Sequence, residues 1–270
     1  GLIALVAVLP VVVLVTLVGD APDPFSPYNL KVLLNTVVLM GLTVLGSVVI
    51  GVPLALLTAY VEVPWRRVWL VALAAPLALP SYIGAFTFYA AFGPGGEIET
   101  LTGLSTPSLD GMFGAALVMA LYTYPFVLLT TRASLCSLDA SQVNAARTLG
   151  LSLPMSLWRV VLPRVRNGIA AGALLAAMYA LSDFGTPAIM RLDTFTRVIF
   201  VEYNAFGLSQ AAMLSLQLLS IVGLVLYLES RVKTPHELPG RSLSIWPSRR
   251  QSVALFAAVA PIVLLAIALP

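Results

Sequence analysis

The sequence predicts an all-α polytopic membrane bundle of six spans followed by the start of a seventh. Hydrophobic residues make up 59% of the 270 positions and charged residues 10%, and the mean hydropathy is +0.97, far from the balance of a water-soluble domain. The apolar residues are gathered into uninterrupted runs of about twenty, the length a helix needs to cross the hydrocarbon of a bilayer. The polar stretches between those runs hold most of the charge and many of the prolines. A net charge of +3 carried by dispersed arginines offers no groove for nucleic acid, and one cysteine, Cys136, excludes an intrachain disulfide framework. A single histidine, His236, excludes a multi-histidine centre within the chain.

The first span covers residues 1–18. It lacks an initiator Met and a basic leader, so the natural chain is expected to start further upstream; a cleaved signal peptide is the alternative, without a small-residue cleavage pattern before Gly19-Asp20. Residues 19–31 read as a Pro-rich acidic loop. The second span runs from Val32 to Tyr60, and a basic turn with Arg66 and Arg67 follows it. The third, Val68 to Phe92, contains Pro76 and Pro80, which kink a membrane helix. After loop 93–110 the fourth span occupies Gly111 to Thr131. The fifth, Gly168 to Met190, carries Gly168, Gly172, Ala176 and Ala180 at four-residue intervals. That spacing is either a close-packing stripe or the by-product of abundant alanine. A sixth span, Leu208 to Leu228, precedes a polar linker.

Alternating the loops across the bilayer places Arg66, Arg67, Arg132, Arg147, Arg159, Arg164, Arg166, Arg231, Lys233, Arg241, Arg249 and Arg250 on one side. Only Lys31, Arg191 and Arg197 fall on the other. The positive-inside rule assigns the first side, with residues 139–163, to the cytoplasm.

Residues 139–163 are the polar interlude around which the chain is organised. Asp139 and Gln142 have capping-box spacing, and Leu138 and Val143 that of a hydrophobic staple. Gly150 is placed to end the first helix in a left-handed conformation. Ser152 and Pro154 suit the opening of a second helix. Its Met155, Leu157 and Trp158 face water unless a partner covers them, and Pro163 closes the segment. On spacing alone, a cytoplasmic loop that happens to be helical is the alternative. Asn144-Ala145-Ala146, three residues, Gly150, nine residues, then Val160, Leu162 and Pro163 resemble the coupling loop of binding-protein-dependent ABC importer permeases. The family pattern is Glu-Ala-Ala, three residues, Gly, nine residues, Ile-x-Leu-Pro. Five of its seven fixed positions match; Asn144 replaces the Glu, removing a charge, and Val160 replaces the Ile.

The resemblance implies a permease whose cytoplasmic loop sits in a groove of a dimeric ATP-binding subunit. It also implies a periplasmic binding protein that delivers cargo, a second permease unit, fused or separate, and a place in the bacterial inner membrane among its lipids. No cofactor is expected in this chain. ATP and Mg belong to the partner, since no Gly-x-x-x-x-Gly-Lys-[Ser/Thr] loop occurs here. No protease or esterase signature occurs either, so the chain is read as a transport subunit and not as an enzyme.

Asp183 is expected well inside the fifth span, where an ionisable group is functional by default. Gly185 and Pro187 interrupt that helix, so Asp183 either lines a pathway or bonds backbone groups freed by the break. Residues 181–187 and 191–197 resemble the ferric-iron branch of the family, which makes ferric ion the expected cargo, ahead of thiamine or a phosphonate. A proton-coupled secondary transporter relaying through Asp183 is the alternative from another class, and a scaffold without transport a third.

Ala258 to Leu265 repeats Ala7 to Leu14 at five of eight positions. The expected organisation is therefore a permease unit at 1–230, a cytoplasmic linker at 231–250, and at 251–270 the first span of a second, truncated unit. A complete seven-span protein is the alternative.

Overall fold

The computed structural model of the chain describes residues 2–19, 23–62, 65–103, 109–231, 257 and 259–268. Twelve α-helices are described: α1 (Leu2–Leu17), α2 (Pro27–Tyr60), α3 (Arg66–Ala74), α4 (Ser81–Phe92), α5 (Glu97–Thr102), α6 (Gly111–Ser137), α7 (Ala140–Thr148), α8 (Leu153–Ser156), α9 (Leu162–Ser182), α10 (Gly185–Ile189), α11 (Phe195–Asn204) and α12 (Leu208–Arg231). Among the described residues, four continuous helices are long and apolar enough to cross a membrane: Pro27–Tyr60, Gly111–Ser137, Leu153–Ser182 and Leu208–Arg231. Residues 232–256, with most of the expected linker and the start of the seventh run, lie outside the described residues.

α6 is the central post. α2 lies along it so closely that a Cβ on Gly46 would come 2.6 Å from the Ala120 Cβ, and one on Gly51 2.8 Å from the Tyr124 carbonyl. Deep between them the Ser47 and Thr123 hydroxyls share a 2.7 Å hydrogen bond. α9 packs on another side of α6. A Cβ on Gly168 would stand 2.1 Å from Ser134 Oγ, and one on Gly172 2.5 Å from the Val127 Cα. The four-residue stripe is thus a close-packing face, and Gly168, Gly172, Ala176 and Ala180 are all buried.

The helix ends are satisfied locally. Ser26 opens α2 by accepting from the Asn29 N–H, with Pro27 in the first turn, where a missing N–H costs nothing. At the other end Arg66 donates to the Thr58 and Ala59 carbonyls at 2.8 and 2.7 Å, placing a cation at the negative end of α2. One apolar core gathers Leu54, Tyr60, Leu135, Leu138, Val143, Val161 and Val165 at this basic end. A second holds Leu39, Phe88, Met119, Tyr122, Ala180 and Met190 towards the opposite end. Val32, Phe195, Val198 and Leu214 pin α11 and α12 to the start of α2.

Three expectations are corrected. The third span is not one kinked helix: α3 and a 3₁₀ turn at Ala75–Ala78 meet α4 across Pro80 at a bend of 89°. Pro76 and Pro80 remove two N–H donors within five residues, so the ladder breaks instead of bending. The fifth span begins earlier and ends earlier than residues 168–190. It is continuous from Leu153 through a π-helical turn at Leu157–Val161 and stops at Ser182. Pro163 therefore does not close the loop; it sits in the first turn of α9, where the preceding turn widens, with the Leu162 N–H reaching the Leu157 carbonyl. Described residues of the seventh run pack onto the same cores, with Val259 and Ala266 buried and Ile262 touching both.

Candidate functional site

The loop at the basic end is built from its caps. Asp139 opens α7 by accepting from the Ser141 N–H at 3.0 Å, an Asx-type cap in place of the expected capping box. That backbone bond, helped by the Ser141 hydroxyl, holds the Asp139 carboxyl below its ordinary value of 3.8. Leu138 and Val143 meet in the core below, as a staple would. α7 ends in a full Schellman motif. Gly150 stands at φ +91°, the Leu151 N–H donates to the Ala146 carbonyl at 3.2 Å, and the Gly150 N–H donates to Arg147 at 3.0 Å.

This turn exposes an apex. Leu149 is 86% exposed and Trp158 71%, with Met155 also in solvent. Leu157 departs from expectation and packs into the core with Leu153 and Leu162. Of the motif residues, Asn144, Ala145, Gly150 and Pro163 are exposed, Ala146 is buried, and Val160 and Leu162 are half-buried. Asn144, Arg147, Gly150, Ser152 and Leu153 line a shallow hollow of about 520 Å³. The motif therefore divides into a rooted half and a presented half, with exposed Arg147, Arg159, Arg164 and Arg166 around it.

A second constellation forms where two broken spans meet. Asp183 is not inside a helix: it is the C-cap of α9, in extended conformation. Its Oδ1 accepts from the Gly185 N–H at 3.0 Å and its Oδ2 from the Ser81 hydroxyl at 2.9 Å. Its carbonyl takes the Thr196 hydroxyl at 2.9 Å. Gly185 is required by proximity, since a Cβ there would lie 2.5 Å from the Tyr82 Cβ. Pro187 is buried, and its carbonyl accepts from the Leu192 N–H across a left-handed Arg191. The Arg191 guanidinium lies 5.5 Å over the Tyr89 ring. Sequence reading missed Ser81; its one local signal is a Ser directly after the Pro that breaks the third span.

These two constellations lie at opposite ends of one helix, Leu153–Ser182. Among the described residues no three His, Cys, Asp or Glu side chains come together as a metal site.

Residues 51–234 match the family described as binding-protein-dependent transport system inner membrane component. An Fe(3+)-transport system permease protein of Haemophilus influenzae is 29% identical over 204 residues, covering 75% of this chain; the chain spans 38% of that relative's length. A probable molybdenum ABC transporter permease protein of Haloferax volcanii is 31% identical over 245 residues, covering 88% of this chain and 89% of the relative. In fold, the chain is similar to a protein in the crystal structure of a bacterial alginate ABC transporter in complex with an alginate-bound periplasmic protein. The TM-score is 0.64 at 16% identity, over 85% of this chain and 91% of the other. With more than half of its length inside that family match, the chain belongs to the binding-protein-dependent transport system inner membrane components.

Proposed function

We propose that this chain is the permease unit of an importer driven by ATP hydrolysis in a separate subunit, and that residues 139–163 are the element which that subunit grips. The observation that carries the reading is the division of the loop. Val143, Leu157 and Val161 root it in the bundle core, while Leu149, Met155 and Trp158 are held out in water beside exposed arginines. Apolar and aromatic side chains presented on a rigid turn with a polar rim are the anatomy of a docking surface. ATP and Mg sit in the partner, and its closure displaces the loop and with it the continuous helix Leu153–Ser182. A periplasmic binding protein delivers cargo at the opposite end, and a second permease unit, fused or separate, completes the path across the bacterial inner membrane.

Ferric iron is the cargo favoured here, on the resemblance of residues 181–197 and on the Haemophilus relative. An oxyanion is the second reading, favoured by the molybdenum permease of Haloferax. Relay through Asp183 in a proton-coupled carrier fits less well, because hydrogen bonds engage both carboxylate oxygens.

The test is uptake into liposomes holding the full-length permease with its ATP-hydrolysing and binding subunits. Vanadate is expected to stop uptake and a protonophore to leave it intact; the reverse pattern refutes the reading. Ferric ion against molybdate in the same assay separates the two cargoes.

A further inference from the structure

The hydrogen bond between Ser81 and Asp183 joins the two helix breaks of the bundle. Ser81 is the first residue of α4, directly after the 89° bend of the third span, and is 3% exposed. Asp183 is the first residue beyond α9. Around them α4 and the segment 183–191 run side by side in the same direction, held at both ends. Ser81 and Tyr82 meet Asp183 and Gly185 at the start, and Tyr89 lies under Arg191 at the finish. Beyond Phe92 the pairing continues through the α6 start, where the Leu109 N–H reaches the Phe92 carbonyl and the Gly111 N–H the Met190 carbonyl. α4 and segment 183–191 are therefore one packed unit, attached to the long helix at Asp183.

We propose that Ser81 is a positioning residue for transport. Through Asp183 it ties α4 to the end of Leu153–Ser182, so that displacement of the cytoplasmic loop moves the broken third span together with the fifth. The inference rests on the loop 139–163 being the element the ATP-hydrolysing subunit grips. A half-buried carboxylate receiving a hydroxyl and a backbone N–H makes stronger bonds than neutral groups do. Conformational coupling needs a chain of packed groups with two discrete arrangements. The long helix with its π turn supplies the lever, and the Ser81–Asp183 bond fixes its load. Without the hydroxyl, Tyr82 still packs on Gly185, so the fold stands while the lever slips.

The experiment uses the complete importer in liposomes, with ATP hydrolysis and cargo uptake measured together. Ser81→Ala is expected to keep the wild-type yield of extracted complex and to lower cargo moved per ATP on the order of tenfold, the effect of one charged hydrogen bond on a two-state equilibrium. Ser81→Thr, which keeps the hydroxyl, is expected to retain wild-type coupling. In a Cys136→Ser background, the pair Ser81→Cys with Asp183→Cys, which also loses the acceptor of the Gly185 N–H and is therefore read per extracted complex, is expected to be uncoupled as made, and recoupled when a short thiol-bridging reagent joins the two positions. Wild-type coupling in Ser81→Ala, or a bridge that abolishes uptake, overturns the proposal while leaving the permease reading in place. A wild-type complex whose uptake ignores ATP overturns both.

Discussion

The Leu151 N–H reaches back across left-handed Gly150 to the Ala146 carbonyl, 3.2 Å away. That bond turns the chain at the point where α7 stops, and it sets Leu149 on the outside of the turn and Leu153 on the inside. Beyond its chain neighbours, no atom of the described residues would lie within 4 Å of a Cβ at Gly150. The position is thus closed to β-branched residues by backbone conformation and not by space.

Gly150→Val should therefore uncouple the importer without unfolding it. A β-branched side chain in the left-handed region costs about 1–2 kcal/mol, enough to shift a surface turn and too little to dismantle the bundle. Gly150→Asn, which tolerates that region, should stay close to wild type. Binding-protein-stimulated ATP hydrolysis per extracted complex is the measurement; full stimulation in the Val variant would exclude the turn from the transmission path.

At the helix break, Asp183→Asn should preserve uptake. Its carbonyl can accept the Gly185 N–H, and its amide can donate to Ser81 Oγ. Asp183→Leu leaves that N–H and hydroxyl without their acceptor, at about 1–3 kcal/mol. Folded yield in detergent should fall for Leu and hold for Asn; an assembled but inactive Asn variant would return Asp183 to the pathway.

Gly172→Val should lower the yield of assembled protein. Its Cβ would sit 2.5 Å from the Val127 Cα and 2.4 Å from Thr130 Oγ1, and backbone cannot give way cheaply. Overpacking of this kind costs about 1–3 kcal/mol or more, and size-exclusion profiles of extracted protein would report it. Gly41→Ala, with open space around it, is the matched control.

Orientation is tested with thiol reagents that do not cross membranes. A cysteine at Leu149, and the native Cys136 more slowly because it is half-buried, should react only from the cytoplasm. One at exposed Thr100 should react only from outside. Ser156 is unsuited to this assay because it is fully buried. Labelling of Leu149→Cys from outside would invert the topology.

The cap of α7 has a pH signature of defined sign. The Asp139 carboxyl is held below 3.8 by the Ser141 N–H, so the folded state favours the ionised form. The stabilisation is complete above the unfolded value and is lost as pH falls through the lowered folded one. ATP hydrolysis between pH 5 and 8 should thus be indifferent to Asp139→Asn. A change in pH profile over that window would mean that Asp139 meets another charge in the complex.

The spans that read clearly from the sequence are those whose ends coincide with a change in composition. Tyr60 to Glu62 is such an end, whereas the fourth helix, expected to stop at Thr131, runs on to Ser137. The fifth span did not read clearly, because Phe184, Ala188, Ile189 and Met190 prolong the apolar run past the break at Gly185 and Pro187, and a hydropathy run does not reveal that Asp183 caps a terminus. Pro163 looked like a stop because it cannot donate a hydrogen bond. The π turn before it accommodates that loss, and a turn of this kind leaves no mark on residue spacing. Pro76 and Pro80 signalled a kink, yet an 89° break depends on what receives α4, namely Gly185 and Asp183 a hundred residues later. The partnership of Ser81 with Asp183 was invisible for the same reason. Gly150 was legible because its signal is local: a glycine after a capped amphipathic turn.

The measurement closest to the central claim is photocross-linking from Leu149, the most exposed apolar side chain of the loop, in the intact complex. With a photoreactive residue at that position, the covalent product should join the permease to the ATP-hydrolysing subunit, and ATP with vanadate should change its yield. A product with lipid alone, or an equal yield from the same residue at Thr100, would contradict the assignment of residues 139–163 as the element that subunit grips.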